Sequence, residues 1–200
     1  MEKKRIDVMI DLETCSRREN AALLSLALVE FDIDTFEELG SCEYGIDLKS
    51  CFLAGLHFEQ DTQDWWMKQT PAARGAILAL GNDPIERVVK DVYVRLKRLT
   101  YEYDRVVVWS NGSDFDFPKL EYLFRKFMGE EPPYKYNEKR DMRTLYKELN
   151  VDCSTVQRPQ DKHSALGDCL WQIAVLKKAF GKQYPQHILP PCTPPKPSSC

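Results

Sequence analysis

At 200 residues, 43% hydrophobic and 30% charged, the chain has the composition of a globular protein with room for one sizeable core, and no apolar run of about 18 residues offers a membrane span. A formal net charge of −3 and a pI near 5.7 give no overall basic footprint, which weakens a non-specific nucleic-acid coat protein without excluding a nuclease. Seven scattered cysteines with no Cys-x-x-Cys pair argue against a zinc site and a disulfide framework, and the charged stretch Met1–Arg5 leads into a strand rather than an apolar signal core, so a cytoplasmic location is expected. The first strand, Ile6 to Thr14, places Ile6, Val8, Ile10 and Leu12 on one face and Asp7, Met9, Asp11 and Glu13 on the other. Asp11 and Glu13 are then about 7 Å apart on one strand face, a repulsive pair that is comfortable either beside a divalent cation or at a strand end in solvent.

Ala21–Ile33 reads as a mostly buried strand, with Glu38–Leu48 pairing beside it as a meander. Lys49–Gln60 shows no pattern and reads as a loop. Thr62 is placed as the cap of a short helix over 63–69, and Thr70-Pro71 opens another over 72–80, ended by Gly81. Asp83-Pro84 opens the clearest helix, where Ile85, Val88, Val89, Val92, Leu96 and Leu99 follow a 3.6-residue stripe suited to a crossover over a sheet. Asp104–Trp109 reads as a buried parallel strand ending in Ser110-Asn111-Gly112-Ser113. The next helix is expected to begin around Asp116–Pro118 and to stop at Gly129. After a loop over 130–138, a helix starts at Arg140–Thr144 and runs to about Leu149; 153–162 is polar loop. A last helix spans about Ser164–Phe180 with Cys169, Ile173 and Leu176 inward. Residues 184–200 hold six of the twelve prolines and read as an extended, disordered tail, leaving one domain over 1–183. Meander strands followed by alternating strands and helices give an α/β fold: a mixed sheet of about five strands with helices on both faces.

Several acids can meet in such a fold. Asp11 and Glu13 end the first strand, Asp116 follows a buried strand at its carboxyl end, and sites of open α/β sheets gather at those ends. His163 and Asp168 lie in His-Ser-Ala-Leu-Gly-Asp. On one helix they would be about 140° out of register, so they share a site only if His163 precedes the helix, for which Ser164 is a reasonable N-cap.

Asp-Leu-Glu-Thr at 11–14, Phe-Asp-Phe-Pro-x-Leu at 115–120 and His-x-Ala-x-x-Asp at 163–168 resemble the three motifs of the DEDDh exonucleases, the family of proofreading exonucleases, ribonuclease T and oligoribonuclease. Trp65-Trp66, Gln69–Arg74 and Arg140–Thr144 resemble its phage-type branch, similar to exonuclease A of T-even phages and related small bacterial exoribonucleases. Asp-x-Glu alone is weak; the motifs in order across about 6–180 are specific. The resemblance implies a ribonuclease H-like fold, two divalent ions, Mg²⁺ or Mn²⁺, on Asp11, Glu13, Asp116 and Asp168, and His163 as general base. Such chemistry would release nucleoside 5′-monophosphates. It also implies contact of Leu12 and Thr14 with the terminal nucleotide, and some relatives act as homodimers, although no apolar stripe here demands one.

Ordinary structural roles compete with each of these. Asp114 and Asp116 can both cap a helix; Asp116 is favoured because it fills the family's Phe-Asp slot. Of Trp65 and Trp66, at most one can stack on a base, and core packing suits both; Trp66 is carried as a substrate-binding candidate. Arg140 and Arg143 can bind phosphate or pair with carboxylates, Asp141 reads as a supporting partner, and Asn111 either faces the site or turns the chain. His57 and His187 lack acidic company. The leading reading is a 3′–5′ exonuclease on single-stranded nucleic-acid ends, DNA first and RNA second. A non-catalytic binding module that kept the fold would show a missing ligand, and none is missing. A ribonuclease H-type endonuclease is disfavoured by the His-x-Ala-x-x-Asp spacing.

Overall fold

The computed structural model describes residues 4–158 and 164–181. The proline-rich segment 184–200 and His163 lie outside the described residues. A five-stranded sheet runs through the middle in the order β3-β2-β1-β4-β5, formed by β1 (Arg5–Thr14), β2 (Leu23–Phe31), β3 (Glu38–Gly45), β4 (Arg105–Ser110) and β5 (Lys139–Asp141). β1, β2 and β3 form an antiparallel meander, while β4 and β5 run parallel to β1. The mixed sheet expected from the alternation of patterns is therefore present.

Both faces of β1 are buried, and its period-two alternation divides the core into two. Ile6, Val8, Ile10 and Leu12 pack with the apolar stripe of α4 (Ile85–Glu102) and with Leu120, Leu123 and Phe124 of α5 (Ser113–Met128). Met9 packs on the opposite face with Ala27, Val29 and Val107, covered by α7 (Ala165–Gly181) and by Met142 of α6 (Met142–Glu148). Cys169 brings α7 close to the sheet, its thiol 3.7 Å from the Met9 carbonyl oxygen. Asp7 shares this second face and is fully buried. The Arg5 guanidinium donates to both its oxygens at 2.7 Å and the Trp109 indole donates at 2.6 Å, so the charge is paired and hydrogen-bonded.

Four local expectations need correction. Residues 48–53, expected as loop, form α1 (Leu48–Leu53); Asp47 caps it by accepting from the Lys49 and Ser50 amides, and six residues are too few to show a period. α2 (Gln60–Met67) starts earlier than Thr62 implied, so Thr62 lies inside the helix and donates its hydroxyl to Glu59. α3 (Pro71–Ala79) starts as expected, with Thr70 accepting from the Ala73 amide. α5 starts at Ser113, before Asp116, because Gly112 already takes the left-handed turn into the helix at φ 118. Pro118 thus lies within the helix rather than at its first position. Lys139–Asp141, expected to lead straight into a helix, first pairs with Val108–Ser110 as β5. Among the described residues no helix is long and apolar enough to cross a membrane.

Candidate active site

The parallel pairing of β1 with β4 fixes where the site lies. Met9 is opposite Trp109, so the chains leave the sheet together, with Asp11 and Glu13 on one strand and Asn111 and Gly112 just past the other. The pairing of β1 with β2 slips between Glu13 and Thr14, an irregularity that turns the strand end at the acids. α7 supplies Asp168 from its first turn, its amide bonded to the Ser164 carbonyl at 2.8 Å. One turn later Gln172 donates its amide to Asp11 Oδ1 at 2.7 Å. One carboxylate oxygen from each of Asp11, Glu13 and Asp168 lies within 4.8 Å of the others. Asp116, in the first turn of α5 and only 4% exposed, faces Asp11 closely enough for their charges to interact; Asp114 in the same turn is exposed.

Electrostatics agrees with this crowding. Burial, then the neighbouring Asp11, Asp168 and Asp116, pushes the Glu13 carboxyl up to about 10. Burial, then Asp116 and Asp168, raises Asp11 well above the usual carboxylate range. Burial raises Asp116 to about 7 against the pull of Lys119 and Arg143. Such a group of acids takes up protons or a cation. All its donors are carboxylate oxygens, which suits hard divalent cations such as Mg²⁺ and Mn²⁺. Two buried acceptors on the cavity wall, Asn111 Oδ1 and Gln172 Oε1, have no hydrogen-bond partner among the described residues. The residues fit a metal centre with polar groups left over for water or substrate.

The acids open onto a cavity of about 300 Å³ that is also lined by Asn111, Phe115, Arg143 and Arg158. Beside it is a cleft of about 360 Å³ lined by Leu12, Thr14, Arg17, Trp65, Trp66 and Phe115, among others. Leu12, Glu13 and Phe115 belong to both. Trp66 is buried and donates its indole N–H to the Thr14 carbonyl at 2.9 Å, tying α2 to the end of β1. Trp65 crosses it edge-on at 5.0 Å and is 44% exposed. The Arg17 guanidinium clamps Glu59 with two bonds of 2.9 and 3.0 Å at the rim.

The structure therefore brings Asp11, Glu13, Asp116, Asp168, Leu12, Thr14, Asn111, Trp66 and Arg143 to two adjoining cavities. Arg140 does not line either of them; its guanidinium donates to the Asn137 and Lys139 carbonyls. Arg143 instead donates to the Asn111 carbonyl at 2.6 Å and lies over Gly112. Three neighbours went unmarked in the sequence. Arg158 stacks its guanidinium 4.0 Å from the Trp171 ring centre and reaches to 3.9 Å of Asp168. Phe115 forms the wall between the cavities. Lys119 is almost fully buried beneath it, its ammonium 3.3 Å from the ring centre and donating to the Phe115 and Arg17 carbonyls. The neighbourhood of Asp116 was the signal for Phe115 and Lys119. Arg158 carried none, being one basic residue in a polar loop.

This sheet order, with acids gathered at the carboxyl ends of β1 and β4, defines a ribonuclease H-like fold of the exonuclease type. It matches exonuclease I structures: the zinc-bound Escherichia coli exonuclease I–single-stranded DNA complex, at TM-score 0.62 and 11% identity over 90% of this chain, and exonuclease I of Methylocaldum szegediense, at TM-score 0.57 and 12% identity over 89%. The chain spans 41% of the length of each. Residues 6–180 match the model of the Rv2179c-like 3′-5′ exoribonuclease domain, and the chain belongs to that family. It is 30% identical to the exodeoxyribonuclease of Enterobacteria phage T4, over 87% of this chain and 88% of that protein. The resemblance to DEDDh exonucleases of a phage-type branch is borne out, and membership makes the chain a 3′–5′ exonuclease of nucleic acid.

Proposed function

We propose that the chain removes nucleoside 5′-monophosphates from the 3′ ends of single-stranded DNA in a reaction that needs two divalent ions, Mg²⁺ or Mn²⁺. The observation that supports this is the convergence of Asp11, Glu13 and Asp168 oxygens within 4.8 Å, next to a cleft walled by aromatic side chains. Asp11, Glu13, Asp116 and Asp168 would hold the ions. When bound, such ions supply positive charge to a phosphate and make water a better nucleophile near neutral pH. Leu12 and Thr14 bound the space for the terminal nucleoside, with Trp65 and Phe115 as flat surfaces against its base and Trp66 fixing the wall behind. Arg143, with Asn111 beneath it, offers a cation to a phosphate oxygen. His163 takes the proton of the attacking water, a role that rests on its motif alone. Hydrolysis breaks the bond from phosphorus to the 3′ oxygen of the penultimate nucleotide, which leaves as a hydroxyl on the shortened strand. The catalytic domain occupies 1–183, in keeping with the family match over 6–180.

A second reading, the same reaction on RNA, is favoured by the family's description as an exoribonuclease domain. DNA and RNA oligonucleotides of one sequence, labelled at the 5′ or the 3′ end, decide between them. With Mg²⁺ or Mn²⁺, the 5′ label should give a ladder shortening from the 3′ end and the 3′ label should appear at once as mononucleotide. EDTA should stop both. Internal cuts, or hydrolysis that is indifferent to EDTA, would overturn the reading.

A further inference from the structure

Beyond the acidic cavity lies a third, open depression. It is about 500 Å³ in volume and is lined by Tyr146 of α6, by Ser154 and Gln157 in the segment after it, and by Trp171 of α7. Arg158 and Trp171 line both this depression and the acidic cavity, just as Leu12, Glu13 and Phe115 join the acidic cavity to the tryptophan cleft. The cleft and the depression share no residue, and each meets the acidic cavity through a different set of side chains. We propose that this groove carries the upstream strand, holding the nucleotides 5′ of the scissile bond; the proposal rests on the exonuclease reading.

The topology of the reaction calls for two such spaces. Water forms the new bond to phosphorus and the bond to the penultimate 3′ oxygen breaks. The terminal nucleoside is therefore on one side of the phosphate and all the remaining strand is on the other. The tryptophan cleft is bounded by α2 and has room for one nucleoside. Among the described residues, the depression is lined by α6, the segment 153–158 and α7 and holds about 500 Å³, against about 360 Å³ for the cleft.

Its chemistry suits a single strand. In a chain of net charge −3, two arginines, Arg143 and Arg158, lie on the acidic cavity, and Arg158 stands at the junction with the groove. The Arg158 guanidinium sits 4.0 Å from the Trp171 ring centre with one amino group 3.9 Å from Asp168, and a guanidinium has further N–H groups to offer a phosphate. Tyr146, half-buried, offers an aromatic face for a base. The segment that carries Ser154 is braced: Lys178 donates to the Asp152 carbonyl at 2.8 Å and to the Thr155 hydroxyl, and Asp152 caps the turn by accepting from Ser154.

The test compares two substrates. A single-stranded 20-mer fills the groove; the p-nitrophenyl ester of thymidine 5′-monophosphate has no upstream nucleotide. Tyr146→Ala and Ser154→Glu should lower kcat/KM on the 20-mer by about tenfold, chiefly through KM, and change turnover of the ester by less than twofold. Ser154→Lys should shift KM for the 20-mer the opposite way, a sign that mere damage to the loop would not give. Equal losses on both substrates, or no loss on the 20-mer with Ser154→Glu, would overturn the groove while leaving the exonuclease intact. A wild-type protein inactive on both substrates would overturn the exonuclease reading and the groove with it.

Discussion

Asp11 is pressed from several sides. Gln172 donates to it, and the charges of Asp116 and Asp168 raise its proton affinity. Asp11→Asn keeps its shape and removes its charge. If the acids hold the metal, turnover should fall by at least about a thousandfold, roughly 4 kcal/mol of barrier. The metal-free fold should not suffer, because a repulsive charge has gone. Circular dichroism and a metal-free melting curve check the second half; retained turnover would sink the first. Gly112 makes a different kind of test. It has φ 118, and a Cβ there would meet the Arg143 guanidinium at 3.2 Å. Gly112→Ala therefore strains the turn by about 1–2 kcal/mol and displaces Arg143. Turnover should fall about tenfold, an effect that Arg143→Ala should reproduce without the strain. The acids were legible because Asp11 and Glu13 share one strand face and Asp116 and Asp168 fall in motifs that follow in order. Arg158 was not, since nothing in a linear pattern says that a lone cation in a polar loop folds back beside a motif.

Among the elements, long periodic segments could be read and short paired ones could not. The stripe Ile85–Leu99 announced α4, and the unbroken apolar run 106–109 announced a strand covered on both faces. β5 has three residues, Lys-Arg-Asp, with no strand character of their own; it exists because β4 offers an edge at Val108–Ser110. The acid-bearing end of β1 was clear, while the part played by α2 was only half so. Two adjacent tryptophans had to point in different directions, but the choice depended on the Thr14 carbonyl, which receives the Trp66 indole. That division predicts opposite phenotypes. Trp66→Phe keeps most of the packing and loses the bond, so it should destabilise the fold by about 1 kcal/mol. Trp65→Ala should change stability by no more than about 0.5 kcal/mol and raise KM for oligonucleotides severalfold. Urea unfolding and steady-state kinetics on the two variants separate the roles; a reversed assignment would show Trp65→Ala as the unstable one.

For the whole molecule, the acidic centre and the clamp at its rim make stability depend on pH in opposite directions. The folded-state affinity of Glu13 for a proton lies far above its ordinary value of 4.5, at about 10, and Asp11 shifts the same way. A carboxyl raised on folding contributes its full stability below about 4.5 and loses it as pH climbs toward 10. Glu59, held down to about 2 by the Arg17 guanidinium, does the reverse: its contribution is present above its ordinary 4.5 and fades as pH falls toward 2. Glu59 is on the surface, where solvent screens the pair, so the acid limb should be shallow. The metal-free protein should thus melt highest at or slightly below pH 4.5 and lose stability steadily through neutrality. A divalent cation replaces the protons that the acids would otherwise need, so its stabilising effect should grow with pH. Differential scanning calorimetry in EDTA and in excess Mn²⁺, from pH 5 to 9, measures both curves. They should lie together at the acid end and diverge upward in pH. A metal-induced rise in Tm that is the same at every pH would mean that cation and protons do not compete for these carboxylates, and that the ions bind elsewhere.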